Sequence, residues 1–525
     1  MIDPITLQVM IGGLRAATEE MGATLIRSAY SANIKERHDC STALFDAAGE
    51  LVMQAEHIPV HLGSMPDAVA AVLDERHEPE VEWILNDPYR GGTHLPDITL
   101  ISPVFVAGEL FGFAASRAHH ADVGGPTPGS MPAFSRRLDE EGVVIPPTPV
   151  RGVRSHLSPH TGDKCERDRP AIATAAVLDE LVAEMRNPRQ RLADLRAQQS
   201  ANRVGRLRLA ELAARHGVDG LRAGMAEILA YAERRTRAAL AALPDGTYTA
   251  ADFLEDDSPD GVERDVALRV TATVDGETLR LDFDGTDPQV EGNLNCPLSV
   301  TKSAAFFAVR VLTDPDAPPC AGAHRPIEVT APRGCLLNAE PPAAVVAGNV
   351  ETSSRVADLV IAALAGARPV PAQGQGTMNN LTLAGEGFTY YETLGGGQGA
   401  CPDADGPSAI HVAMSNTLNT PIEALETEFP LRVRELAIRR GSGGEGAHRG
   451  GDGLVRELEA LAPMRFTLLT ERRRRAPGGR DGGTDGAPGQ NLRDGCHLPS
   501  KSEGDLAPGN RLRIETPGGG GLGDP

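Results

Sequence analysis

The chain has 525 residues, 51 basic and 72 acidic side chains, and a formal charge of −21. That balance excludes sequence-independent binding to nucleic acid or to an anionic membrane surface, and 4% aromatic residues with Trp83 as the sole tryptophan leave no stacking platform for single strands. No apolar run approaches the ~20 residues of a membrane helix, the N-terminus reads as having no leader, and seven scattered cysteines without a CxxC pair fit reduced thiols in a cytoplasm.

Asp3-Pro4 predicts a helix start, with Asp as N-cap and Pro in the first turn. Ile5, Val9, Leu14, Met21 and Leu25 continue a helical apolar stripe to about Tyr30. Cys40–Asp46 and Glu50–Glu56 then read as a β-hairpin around Ala47-Ala48-Gly49. Counting outward from that turn sets Asp39 opposite His57, with His61 just beyond. Ser64-Met65-Pro66-Asp67 caps a helix running towards Glu75.

The stretch Asn86–Gly125 concentrates the chemistry. Ile98–Val106 and Leu110–Ser116 are β-rich runs joined by a Gly-containing turn. Centring the turn on Gly108 sets Asp97 opposite His119, a separation of roughly 5 Å at Cβ in an antiparallel pair. His94, three residues before Asp97, folds back over the same end. Two imidazoles and a carboxylate suit a divalent transition metal with open coordination positions. His120 and Asp122 are further candidates, as ligand or orienter. The plainer alternative is a polar hairpin end with solvated histidines. Both early hairpins open onto acids and histidines, so the expectation is one shared cleft, against two unrelated polar rims.

Pro126–Pro149 reads as an irregular loop or lid around Arg136-Arg137. Arg167–Ala241 is helical in pattern, with breaks at Asn187-Pro188 and His216-Gly217. Strands dominate from Thr247 to about Thr330, and Ser299–Thr313 reads as a helix on that sheet. Asp282, Asp284 and Asp287 lack the spacing of a calcium loop. Gly348–Asp358 places an Asn/Thr/Ser cluster ahead of a helical run, suited to ordinary capping or to an anion. Gly374–Asn380 and Gly395–Gly399 fit neither phosphate-loop pattern. Past Gly441 the chain is Gly-rich and charged, yet the runs Phe466–Thr470 and Arg511–Ile514 indicate a folded, turn-rich β end. The expected class is α+β, a mixed fold in four segments: 1–165 with the hairpins, 166–243 helical, 244–440 mixed, and 441–525 Gly-rich.

The stretches DPITLQVM, ERHDCSTALFD, HIPVHLGSMP, NDPYRGGTHLPDITLISPVF, AHHADVGG, EEGVVIPP, LPDGTY, GNVETSSRVAD, YYETLGGGQGA, SNTLNTPIEALE, GSGGEGAHRGGDG and TPGGGGLGDP occur in order along nearly the whole chain. Together they resemble the hydantoinase B/oxoprolinase family, which includes the second subunit of N-methylhydantoinases and 5-oxoprolinases and is related to acetone and acetophenone carboxylase subunits. The resemblance implies ATP-dependent opening of a five-membered cyclic amide, such as a hydantoin or 5-oxoproline. It also implies a divalent metal (Zn, Mn or similar) at a His/Asp site, which maps onto His94, Asp97 and His119.

The family's A-type portion carries an acidic, Gly/Thr-rich phosphate loop, and no DxGGT segment occurs here. ATP and Mg are therefore expected on an A-type partner subunit, in a hetero-oligomer. Asp39, His57 and Asp122 are the candidates for a catalytic base. Two other readings stand beside hydrolysis. One is a carboxylase subunit of the acetone or acetophenone type, and the other is a non-catalytic scaffold of the same complex.

Overall fold

The computed structural model describes residues 2–56, 58–151, 174–257 and 263–525. The first helix, Pro4–Ser28, starts as its sequence dictates: the Asp3 carboxylate accepts from the amides of Ile5 and Thr6, and Pro4 takes the first turn. Leu7, Leu14, Met21 and Leu25 are buried against a sheet, whereas Ile5 and Val9, which the sequence pattern counts into the same stripe, are exposed.

That sheet has six strands: β1 (Cys40–Asp46), β2 (Leu51–Glu56), β3 (Val81–Leu85), β4 (Asp97–Val106), β5 (Glu109–His119) and β6 (Thr148–Arg151). Their spatial order is β2-β1-β5-β4-β3-β6, all antiparallel. One face packs Leu44, Ala114 and Ala118 under the helices Pro4–Ser28 and Pro188–His216. The other face packs Ala43, Phe45, Trp83, Phe113 and Ala115 under Met65 and Val69. Alternation between the faces is the period-two rule of a pleated strand.

The two hairpins meet through β1 and β5, where Cys40 pairs with Ala118. Both therefore open at one edge of one sheet, the shared cleft expected from the sequence. Each carries a bulge that simple counting does not see. In β4–β5 the turn is Ala107-Gly108, both at positive φ, and Val106 pairs with Glu109. The register shifts between Val104 and Phe105, which restores Asp97 opposite His119. In β1–β2 the shift lies between Leu44 and Phe45 and leaves Ser41 opposite Glu56, one residue off the count that sets Asp39 opposite His57. Asp39 instead reaches the cleft beside β5, its carbonyl accepting from the His119 amide at 3.1 Å.

The helices Thr174–Ala183, Pro188–His216 and Val218–Leu240 follow, broken at Asn187-Pro188 and Gly217 as the sequence predicts. A second sheet comprises β7 (Gly246–Asp257), β8 (Glu263–Asp275), β9 (Thr278–Asp282) and β10 (Ile327–Thr330), in the order β10-β9-β8-β7. It shares a large core with the helices Leu298–Thr313 and Ser353–Ala363.

Two more sheets close the chain. One is β12-β11-β15-β18, built from Asn380–Gly385 (β11), Phe388–Glu392 (β12), Met464–Leu469 (β15) and Lys501–Leu506 (β18). The other runs from Leu431–Arg439 (β13) through Gly453–Ala460 (β14), Arg511–Glu515 (β19) and Gln490–Arg493 (β16) to Cys496–Leu498 (β17). The class is α+β, as expected.

The glycines outside these sheets pack against one another. Gly519 N donates to Gly451 O, Gly520 N to Gln373 O, Gly521 N to Thr484 O and Ala400 N to Gly520 O, all at 2.8–2.9 Å. A Cβ at Gly519 would lie 2.0 Å from the Gln398 carbonyl oxygen, and one at Gly451 would lie 1.9 Å from that of Pro407. Close approach of extended backbone segments, beyond the needs of turns, demands glycine here. Among the described residues, no helix is long and apolar enough to cross a membrane.

Candidate metal centre

Asp97 opens β4 and His119 closes β5, so the antiparallel register sets them side by side. The short Thr93–Pro96 loop returns His94 to the same place, with the Asp97 amide donating to the His94 carbonyl at 3.1 Å. His94 Nε2 lies 3.2 Å and His119 Nδ1 3.4 Å from Asp97 Oδ1. One ligand atom from each residue falls within 4.8 Å of the other two. All three side chains are buried.

The other carboxylate oxygen is occupied by protein. Thr93 Oγ1 donates to Asp97 Oδ2 at 2.6 Å, His61 Nε2 lies 3.3 Å from it, and Asn349 Nδ2 donates at 3.5 Å. His61 is held from behind by Ser41 Oγ, 2.9 Å from its Nδ1. His94 Nδ1 and His119 Nε2 are buried without a hydrogen-bond partner, and His94 Nε2 faces only the Asp97 carboxylate. Unpaired buried nitrogens beside a carboxylate are what a metal site made of neutral imidazoles requires.

The charge states agree. Burial works to raise the Asp97 carboxyl, but the charge of His94 and hydrogen bonds from His119, His61 and His94 hold it well below the usual carboxylate range. Burial pushes His119 down to about 4 and lowers His61 as well. Burial thus favours the neutral form of His119 and His61, and a buried carboxylate flanked by imidazoles is a donor set that fits a divalent cation. His94, Asp97 and His119 are the residues that would hold it.

A small cavity of about 20 Å³ adjoins the cluster, lined among others by Asp39, His61, Asp97, His119, Asn349 and Tyr391. Burial, aided by the Asp97 charge and opposed by Arg37 and His94, raises the Asp39 carboxyl to about 7. Tyr391 stacks on His119 with ring centroids 4.5 Å apart, and the Arg37 guanidinium covers the Tyr391 ring at 4.9 Å.

Asp122 does not line this cavity. Its carboxylate accepts from the amides of Gly124 and Gly129 at 2.8 and 2.7 Å and pairs with Arg186 at 3.2 Å, which ties down the following loop. His120 points away from His119, as the next residue along an extended chain does, and sits 3.0 Å from Gln198 Oε1. His57 lies outside the described residues.

Sequence reasoning missed Thr93, Asn349, Tyr391 and Arg37, and noted His61 only as lying beyond a hairpin end. Asn349 arrives on Gly348–Thr352, a single π-helical turn where the sequence left ordinary capping and an anion or carbonyl site both open. Such turns occur frequently at functional sites.

A family model, hydantoinase B/oxoprolinase, matches the chain over residues 3–525. The chain belongs to the hydantoinase B/oxoprolinase family. This hydantoinase B/oxoprolinase chain is 37% identical to 5-oxoprolinase 1 of Arabidopsis thaliana, over 99% of its own length but only 42% of that protein's. It thus spans about two-fifths of the 5-oxoprolinase it matches. It is 33% identical to the B-type component of a putative D-/L-hydantoinase from a Pseudomonas strain, covering 90% of that protein. Among solved structures, the ATP-dependent caprolactamase of Pseudomonas jessenii superposes with a TM-score of 0.88 at 29% identity, over all of this chain and 92% of the other. A nucleotide-free acetone carboxylase superposes with a TM-score of 0.86 over all of this chain and 76% of that one, at 19% identity, a likeness of fold alone.

Proposed function

We propose that this chain is the B-type component of an ATP-dependent cyclic-amide hydrolase, opening a hydantoin, 5-oxoproline or related lactam ring. The observation that carries the reading is the buried His94–Asp97–His119 cluster with its unpaired nitrogens, in a chain whose relatives include a 5-oxoprolinase, a putative hydantoinase component and a caprolactamase.

An amide is a poor electrophile, and phosphorylation of its carbonyl oxygen removes that obstacle. The sequence holds no phosphate-loop pattern, so this step falls to an A-type partner that binds ATP and Mg, and the two chains form a hetero-oligomer. A divalent cation bound at His94, Asp97 and His119 supplies Lewis-acid chemistry to a carbonyl oxygen or to water. Asp39, at the cavity wall and raised to about 7, accepts the proton of the attacking water. Of the three candidates for this role, Asp122 spends its carboxylate on its own loop. His61 and Thr93 hold Asp97 in place. The six described cysteines are all free thiols, and with the need for ATP they support a cytoplasmic setting.

The test is co-production with a family A-type subunit, followed by assay of hydantoin, 5-oxoproline and caprolactam with ATP. Ring opening coupled to ATP hydrolysis is the expected result. Product formation that requires bicarbonate would overturn hydrolysis in favour of carboxylation, and a complex inert to all substrates would leave the chain a scaffold.

A further inference from the structure

We propose that Ser415 is a substrate-contacting hydrogen-bond donor, its hydroxyl aimed by His411 at an oxygen on the amide carbon of a substrate beside His94, Asp97 and His119. The inference rests on the cyclic-amide reading above and names a part of the site which that reading does not use.

Ser415 lies in the stretch SNTLNTP, far in sequence from the metal cluster. It is 3% exposed and lines the same cavity as Asp97, His119 and Asp39. Its Oγ sits 2.5 Å from Nδ1 of His411. The other nitrogen of that ring, Nε2, is buried and has no partner. Two tautomers are conceivable, and they differ in what is left unpaired. If Nδ1 accepts from Ser415, the imidazole buries an orphan N–H at Nε2. If Nδ1–H donates to Ser415, only a lone pair is left over. Orphaned buried N–H groups are rare in native structures, so the second arrangement is favoured. Burial first, and then the positive charge of Arg37, hold His411 near 3, so the ring is neutral and has a single proton to place.

With its oxygen accepting from His411, Ser415 has its own proton free to donate. The neighbouring hydroxyls spend one of their two protons on each other. Thr393 and Thr417 bond to each other at 2.7 Å, and both accept from Arg37, at 2.8 and 3.2 Å. The backbone around the pair is strained. Ala409 and Ala413, neither a glycine, both adopt left-handed φ, 54° and 52°. Conformations of that kind persist where the surroundings enforce them and cluster at active sites. The cavity of about 20 Å³ matches one water-sized oxygen. It therefore marks a position for an oxygen, while the substrate ring needs the walls to part. When water adds to the phosphorylated amide carbon, its proton passes to Asp39 and the C=N electron pair settles on the ring nitrogen. The C–N bond then breaks, the nitrogen leaves as an amine carrying the proton Asp39 took, and an acyl phosphate remains. A second water adds to that acyl carbon, the carbonyl pair moves onto its oxygen, and inorganic phosphate leaves as the carboxylate forms. A fixed donor at that oxygen stabilises the transition state at no reorganisation cost.

The experiment uses the chain in complex with its ATPase partner, with 5-oxoproline, hydantoin and caprolactam as substrates. Ser415→Ala is expected to lower kcat by about 10²–10³-fold, the loss typical of one oxyanion donor, with KM, metal content and melting temperature unchanged. Ser415→Thr, which keeps the hydroxyl, restores most of the rate. His411→Phe gives a similar loss, and the double variant loses no more than either single one, because the two residues act as one unit. Turnover by Ser415→Ala close to that of the wild type overturns the donor role alone. So does a loss shared by Ser415→Thr and accompanied by loss of metal. A wild-type complex that opens none of the three amides overturns the cyclic-amide reading, and the donor role with it.

Discussion

Thr93 donates a 2.6 Å hydrogen bond to Oδ2 of Asp97, and so decides which oxygen of that carboxylate faces His94 and His119. His61 and Asn349 add to the same oxygen, leaving Oδ1 for His94 and His119. The carboxylate is fixed before any ligand arrives, which is how outer partners commonly tune a metal site.

Thr93→Val, nearly the same shape without the hydroxyl, is therefore expected to weaken divalent-metal affinity by about 10–100-fold while the fold is kept. His61→Phe should act in the same direction. Competition with a chelator, followed by elemental analysis, measures it. Affinity equal to that of the wild type in both variants would show that Asp97 needs no such support.

Removing a ligand should go further. The parent chain is expected to purify with roughly one equivalent of divalent metal, and His94→Ala, Asp97→Ala and His119→Ala each without it. Full occupancy in all three variants would place the metal elsewhere.

The isolated chain should neither bind nor hydrolyse ATP appreciably, since it has no phosphate-loop pattern. Co-produced with an A-type subunit, it should elute as a hetero-oligomer whose interface buries well over ~2,000 Å², as obligate interfaces do. Tight ATP binding by this chain in calorimetry would contradict the division of labour. Separate elution of two chains that still turn over a cyclic amide would contradict the shared assembly.

The glycine segments give a stability prediction with an internal control. Gly519→Ala drives a methyl to 2.0 Å from a carbonyl oxygen and should prevent folding or lower the melting temperature steeply. Gly12→Ala has nothing within 4 Å, in the middle of the helix Pro4–Ser28, and should stabilise by about 0.5–1 kcal/mol. Thermal unfolding of both variants tests whether packing sets the glycine content.

Glu351 gives a pH signature away from the metal ligands. Burial, opposed by hydrogen bonds from Thr377 and Met378, raises its carboxyl to about 7 from 4.5. Between those values the folded chain holds a proton that the unfolded chain has lost, so this group's contribution to stability falls as pH rises from 4.5 to 7. The full difference is about 3 kcal/mol. Glu351→Gln should remove that slope and be the more stable chain at pH 8. Denaturant unfolding at pH 5 and pH 8 is the measurement, and identical pH dependence in both chains would show that Glu351 is already ionised at pH 5.

Much of the His94–Asp97–His119 cluster was legible in the sequence because hairpin geometry is local. A turn at Ala107-Gly108 and two alternating runs suffice to bring Asp97 to His119, and a three-residue loop returns His94. The same counting failed in the first hairpin, where the bulge near Phe45 moved the register by one. Bulges answer to packing across the sheet, which no turn motif reports. In the second hairpin the bulge offset the tighter turn, so the pairing came out as counted although the turn did not.

The sequence by itself thus determined the helix starts, the hairpins, the α+β class and the family, because caps, turns and alternation act over a few residues. Tertiary structure alone decided the rest of the site. It brought His61 and Asn349 onto Asp97, stacked Tyr391 on His119, and set Ser415 into the same cavity. These residues come from segments more than three hundred positions apart, and nothing in their spacing relates them. They meet because separate apolar faces bury against one another, and a buried carboxylate must satisfy its oxygens with whatever donors that packing delivers.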